Sequence, residues 1–167
     1  MVNPTSVRTL TFAHSPDPDD AYMFYGFAAG GIIIPGFEVR HHLEDIQTLN
    51  ERAFKGEFEI TAVSAHAYAH LTEKYWVLSC GASVGRRYGP MLVAKPGVKA
   101  PKSIAVPGKW TTAALVLDIW LKESGIQAEK VIMPFDQILP AVASGKIESG
   151  VLIHEGQLTY RESGIVS

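Results

Sequence analysis

Short apolar runs along this chain alternate with longer stretches whose apolar residues recur at helical spacing, and glycine or proline marks most of the junctions. Val7 to His14 alternates, with Leu10, Phe12 and His14 on one face, and predicts a first strand. In Ser15-Pro16-Asp17-Pro18-Asp19-Asp20 two prolines force an extended turn. Asp19 or Asp20 is then placed to cap a helix that begins at Ala21 and stops at Gly30-Gly31. Phe37 to Leu43 predicts a second strand, and Asp45 caps a helix carrying Leu49, Ala53 and Phe54 that Gly56 ends. Phe58 to Val63 predicts a third strand running into Ser64, which can cap a helix from Ala65 to Tyr75. Strand and helix alternating in this way predict a parallel sheet with right-handed crossovers.

Trp76 to Ser83 and Gly89 to Lys95 predict two more strands, joined by Gly85-Arg86-Arg87-Tyr88-Gly89. Pro96-Gly97-Val98-Lys99-Ala100-Pro101 is the best linker candidate, and after it the alternation restarts. Ser103 to Val106 predicts a strand and Pro107-Gly108-Lys109-Trp110 a loop. Thr111 to Ser124 predicts an amphipathic helix closed by Gly125, with Ala113, Leu117, Trp120 and Leu121 on one side. Lys130 to Met133 is a strand, and Asp136 caps a helix in which Pro140 is close enough to the first turn to be tolerated. Gly145 leads to Gly150-Val151-Leu152-Ile153-His154-Glu155-Gly156, a buried parallel strand ending on an imidazole and a carboxylate. Leu158 to Arg161 starts a further helix. The expected fold class is α/β, with lobes at 1–97 and 98–167 facing a cleft. Three parallel strands leave a second lobe with long edges and an open face, so the expectation is a chain that ends before its fold does.

With 47% hydrophobic and 19% charged residues the chain has ample material for a core and is unlike a disordered one. A formal charge of −2 gives no case for a nucleic-acid or anionic-membrane partner. No apolar run approaches the roughly 18 residues of a membrane helix. Met1-Val2-Asn3-Pro4-Thr5-Ser6 carries no basic stretch followed by an apolar one. The lone Cys80 fits a reducing compartment, so the expected location is the cytoplasm. Nothing in the sequence specifies an oligomeric state.

Ligands of open α/β sheets gather at the carboxyl ends of strands, where His154 stands. Its imidazole is either a structural hydrogen-bonder or a group able to exchange a proton near neutrality. Lys109-Trp110-Thr111-Thr112-Ala113 opens a helix, and its unpaired N–H groups and hydroxyls suit either a carboxylate or ordinary capping. The glycine–lysine–hydroxyl spacing there is not that of a P-loop. Ser64 and Asp20 occupy equivalent strand ends in the first lobe. Asp17, Asp19 and Asp20 lie in a proline turn rather than a metal loop. His66 and His70 are spaced i, i+4, but Ala67 stands where a metalloprotease has glutamate. His41-His42 is read as exposed and without specific duty. Arg86 and Arg87 either steer an anionic substrate or are simply solvated.

His14-Ser15-Pro16-Asp17-Pro18-Asp19-Asp20, Pro107-Gly108-Lys109-Trp110-Thr111-Thr112-Ala113 and Ile153-His154-Glu155 with Thr159-Tyr160, in that order, resemble 1,4-dihydroxy-6-naphthoate synthases. Ile46-Gln47-Thr48-Leu49-Asn50 and Ile138-Leu139-Pro140 extend the resemblance along the chain. It implies a two-lobed type 2 periplasmic-binding-protein fold without export, the second lobe truncated here. It implies a carbon–carbon lyase of the futalosine route to menaquinone, acting on a small carboxylate without a cofactor or metal. His154 matches the family's proton acceptor; Asp20, Ala62, Ser64, Thr111 and Thr112 match its substrate-contacting positions. Asp17 and Asp19 replace the usual cysteine and asparagine of the turn, and Trp110 stands in place of histidine. The rival readings are a transporter's solute-binding protein, which requires export, a chorismate dehydratase-like enzyme, and a ligand-sensing regulator domain, which requires a DNA-binding module.

Overall fold

The computed structural model of the protein describes residues 7–154 and 156–167; the N-terminal segment Met1 to Ser6 and Glu155 lie outside the described residues. The chain divides into two compact units, Met1–Ser83 and Val84–Ser167.

In the first unit, β1 (Arg8–His14) pairs in parallel with β2 (Phe37–Leu43) along its whole length and with β3 (Ile60–Thr61) at Phe12 and Ala13. The sheet order β2-β1-β3 places the first strand in the middle, as crossovers through α1 (Pro18–Ala28) and α2 (Ile46–Lys55) require. α2 follows its local signals closely. Asp45 accepts the Gln47 and Thr48 N–H groups at 3.0 and 3.1 Å, and Gly56 closes the helix at φ +71°, where a side chain would be strained. Its apolar face buries Leu49 against Ala13 and Phe58. Phe12 packs edge-on against Phe27 at 5.0 Å and Phe24 at 5.9 Å, which seats α1 on the sheet.

Three expectations change here. The third strand shrinks to Ile60–Thr61, and the helix after it is only α3 (Ala65–Tyr68). Beyond it the chain turns through i→i−3 bonds (His70 to Ala67, Leu71 to Tyr68, Lys74 to Leu71), and the Tyr75 hydroxyl ties back to the Phe58 carbonyl at 2.9 Å. Trp76 to Ser83 forms no strand: Trp76, Val77 and Leu78 are exposed, and no strand pairs with them among the described residues. An apolar run becomes a strand only when a neighbour takes its backbone groups.

The second unit holds β4 (Met91–Ala94), β5 (Ser103–Val106), α4 (Thr112–Ser124), β6 (Glu129–Ile132), α5 (Phe135–Ser144), β7 (Ser149–Leu152) and α6 (Gly156–Thr159), ending in a 3-10 turn, Tyr160–Ser163. Its sheet order is β4-β7-β5-β6, parallel except that β4 runs antiparallel to β7. That pairing moves the expected division. Residues 84–97 belong with the second unit, and the proline–glycine stretch after β4 is a turn within it, where Val98 N–H bonds the Lys95 carbonyl at 3.2 Å. It also gives this unit a fourth strand, not the three parallel ones expected. All four residues of β7 are buried. α5 lies so close that a Cβ on Gly150 would overlap Ile138 Cγ2 and come within 3.1 Å of Val142 Cγ2. α5 starts at Phe135 after Pro134, so Asp136 sits in its first turn rather than capping it. Among the described residues no helix is long and apolar enough to cross a membrane.

Candidate functional site

In the first unit the turn after β1 is locked by its own polar groups. Asp17, not Asp19 or Asp20, is the residue that precedes α1, and its side chain makes no cap bond. Its carboxylate instead accepts the Ser15 hydroxyl, while its N–H donates to Ser15 Oγ at 3.1 Å. Asp20 is buried, 8% exposed, and takes the Ser15 N–H at 2.7 Å. Burial raises its carboxyl above the usual carboxylate range, against the lowering effect of that N–H.

His14 lies stacked on Phe24, ring centroids 4.2 Å apart. Its Nδ1 is 3.0 Å from the Ser15 carbonyl, which can only accept. In a neutral pair, His14 Nε2 therefore accepts from His41 Nδ1 at 2.9 Å. His41 is thus no idle surface group. Burial, and after it the neighbouring His14, lowers the His41 pKa below 6.5. His42 is engaged too, 2.7 Å from Arg52 Nη1 and 3.1 Å from Glu44 Oε1.

Ala62 and Ser64 follow the end of β3. The Ala62 N–H donates to the Ala13 carbonyl at 2.8 Å, extending the ladder by one bond. Ser64 precedes α3 without a side-chain cap bond; it pairs instead with Asn50 of α2, at 2.9 Å through its N–H and 3.1 Å through its Oγ. Asn50 is not among the candidates expected from the sequence. The signal was there: Ile46, Leu49, Asn50 and Ala53 fall at i, i+3, i+4 and i+7, so the amide occupies the apolar stripe.

In the second unit Thr111 precedes α4 and is 3% exposed. Its hydroxyl donates to the Gly108 carbonyl at 2.8 Å and accepts the Ala114 N–H at 3.2 Å. The hydroxyl thus caps α4. Thr112, the first residue of α4, is half-buried. The Lys109 ammonium sits 4.7 Å from the centre of the Trp110 ring.

His154 stands two residues past β7, half-buried, with φ +55°. A non-glycine residue in this left-handed region costs about 1–3 kcal/mol, and such strain collects at functional positions. The Gln157 N–H donates to the His154 carbonyl at 3.2 Å, and the Tyr88 hydroxyl does so at 3.4 Å. Gln157 is itself buried, its Nε2 on the Leu152 carbonyl at 3.0 Å. The imidazole meets Phe135 edge-on, centroids 5.4 Å apart. Arg86 and Arg87 lie in an exposed bend, Arg87 at φ +56°.

Each unit therefore carries candidate side chains just past the carboxyl end of a parallel strand, in a fold of the type 2 periplasmic-binding-protein class. The alkanesulfonate-binding protein of Xanthomonas axonopodis shares that fold at a TM-score of 0.70 and 10% identity, over 97% of this chain and 60% of its own. Residues 10–167 match the model of a menaquinone biosynthesis family, and the chain belongs to that family. A curated relative from Thermus thermophilus, a 1,4-dihydroxy-6-naphtoate synthase, is 36% identical over 162 residues. That alignment covers 96% of this chain and 58% of the relative, so the chain spans little more than half the relative's length. A crystal structure from Archaeoglobus fulgidus matches at 48% identity and a TM-score of 0.87, over 95% of this chain and 58% of that one.

Proposed function

We propose that the complete gene product is a 1,4-dihydroxy-6-naphthoate synthase, a carbon–carbon lyase of menaquinone biosynthesis acting on cyclic dehypoxanthine futalosine. Family membership and the relative's name support the reaction; the backbone of His154 carries the assignment of the base. A residue held at positive φ by two donors on its carbonyl is a side chain placed at a cost in stability, and an imidazole is the group that exchanges a proton near neutrality.

In this reading His154 takes a proton from the bound substrate and starts a fragmentation that releases a three-carbon piece. Aromatisation of the remaining rings drives it, so the protein supplies a base, orientation and anion binding without a cofactor. Thr112 and the N–H groups opening α4 hold the substrate carboxylate, with Thr111 keeping that helix end in shape. Ser64, Ala62 and Asp20 are read as further contacts to the substrate's oxygens, as the family resemblance implies. A cytoplasmic place of action goes with this reading.

The test is to incubate the purified complete gene product with cyclic dehypoxanthine futalosine and follow 1,4-dihydroxy-6-naphthoate by chromatography. Turnover is the expected result. Saturable binding with no product would favour a solute-binding protein.

A further inference from the structure

We propose that Asn50 is a positioning residue that fixes Ser64 as a hydrogen-bond donor, so that this point of the site selects an acceptor oxygen on the substrate. The inference rests on the reading of Ser64 as a substrate contact. Asn50 is completely buried, 0% exposed, in the same stripe of α2 as Leu49 and Ala53. An amide in such a place destabilises the fold unless its oxygen and nitrogen are both bonded. Both ends reach Ser64: Oδ1 accepts its N–H at 2.9 Å and Nδ2 donates to its Oγ at 3.1 Å.

The orientation of this pair follows from chemistry alone. A backbone N–H can only donate, so the amide oxygen must face it. The amide nitrogen then faces the hydroxyl, and that nitrogen can only donate too. Ser64 Oγ is therefore an acceptor toward Asn50, and its single hydrogen is left for another partner. Ser64 is half-buried, three residues past β3, where ligand groups of a parallel sheet gather. A carboxylate, carbonyl or ether oxygen can accept that hydrogen; an N–H or C–H group cannot.

Asn50→Asp separates this role from mere support. The carboxylate keeps the shape and still accepts the Ser64 N–H, but its second oxygen takes the hydroxyl hydrogen and reverses its direction. The complete gene product, its Ser64→Ala, Asn50→Asp and Asn50→Ala variants and the corresponding double variants are compared by KM and kcat on cyclic dehypoxanthine futalosine. Loss of a hydrogen bond at this point is expected to lower kcat/KM about 10- to 100-fold in each single variant, chiefly through KM. The double variants should be no worse than Ser64→Ala, because both changes remove one interaction. The Asn50→Asp deficit should grow with pH, since only the ionised carboxylate reverses the hydroxyl. Should Asn50→Asp fail to fold, Asn50→Ala with Ser64→Ala carries the same comparison. Losses that add, or Asn50 variants that lower only the melting temperature while Ser64→Ala loses affinity, overturn the proposal. A Ser64→Ala variant with unchanged kinetics overturns the substrate-contact reading itself, and is told apart by that.

Discussion

The two units hold their candidate side chains on different kinds of frame. In the second, the strand is packed from the side by apolar groups, with α5 lying against β7 at Gly150, and the buried polar side chains Thr111, Ser149 and Gln157 bond backbone groups near them. In the first, polar groups are built into the interior. His14, Ser15, Asp20 and Asn50 are all buried, and each is held by hydrogen bonds to a neighbour. An apolar frame fails when its volume changes, whereas a polar one fails when a donor or a charge is changed. The comparison is open to test at each end.

The largest effect belongs to the apolar frame. Gly150→Val forces carbon into space already held by Ile138 and Val142, and is expected to lower stability by about 3 kcal/mol. Chemical denaturation followed through Trp110 and Trp120 should report the loss, while Trp76 of the first unit should report little. Equal losses at all three tryptophans would mean that the units unfold as one, and the contrast would fall. Thr111→Ala removes a buried cap with two hydrogen bonds, and its expected cost is about 1–2 kcal/mol. Thr111→Ser should restore most of it.

The smallest effect is a pH dependence peculiar to the polar frame. His41 is held below its ordinary value of 6.5, so below that pH the unfolded chain binds more protons here than the folded one. The stability this group contributes is whole above 6.5 and declines as pH falls toward the lowered folded value. Denaturation of the first unit between pH 7.5 and 5.5 should show that decline. His41→Asn, which keeps an N–H donor where Nδ1 stood, should flatten it. An unchanged slope in the variant would remove His41 from the account.

This contrast also explains how much could be read from the sequence. β1, β2, α2 and α4 carry their own signals, such as the Asp45 cap and the glycines after each helix, and they lie within a residue or two of where those signals put them. The antiparallel pairing of β4 with β7 spans more than fifty residues, and nothing local encodes it; the expected boundary at 97 failed for that reason. Trp76 to Ser83 has strand-like content without a strand to pair with among the described residues. His154, Ser64 and Thr111 were legible as strand-end or helix-start residues with useful chemistry. Asn50 was legible only as a polar residue on an apolar stripe, and His41 not at all, because it is one of two adjacent histidines in a strand of mixed polarity. Only the fold shows that the polar atom is buried and what it touches.

The central claim is that His154 is a base held in place by its backbone. The most direct measurement is turnover of cyclic dehypoxanthine futalosine by the complete gene product carrying His154→Asn. Asparagine tolerates positive φ better than most residues, so it suits the +55° position and leaves the turn after β7 intact, whereas alanine would be strained there. It can hydrogen-bond, but it cannot carry the proton. A folded variant with near-normal KM and kcat lower by a factor of about 10² to 10⁴ is the predicted result. Near-normal turnover by that variant would contradict the account and leave His154 a structural residue.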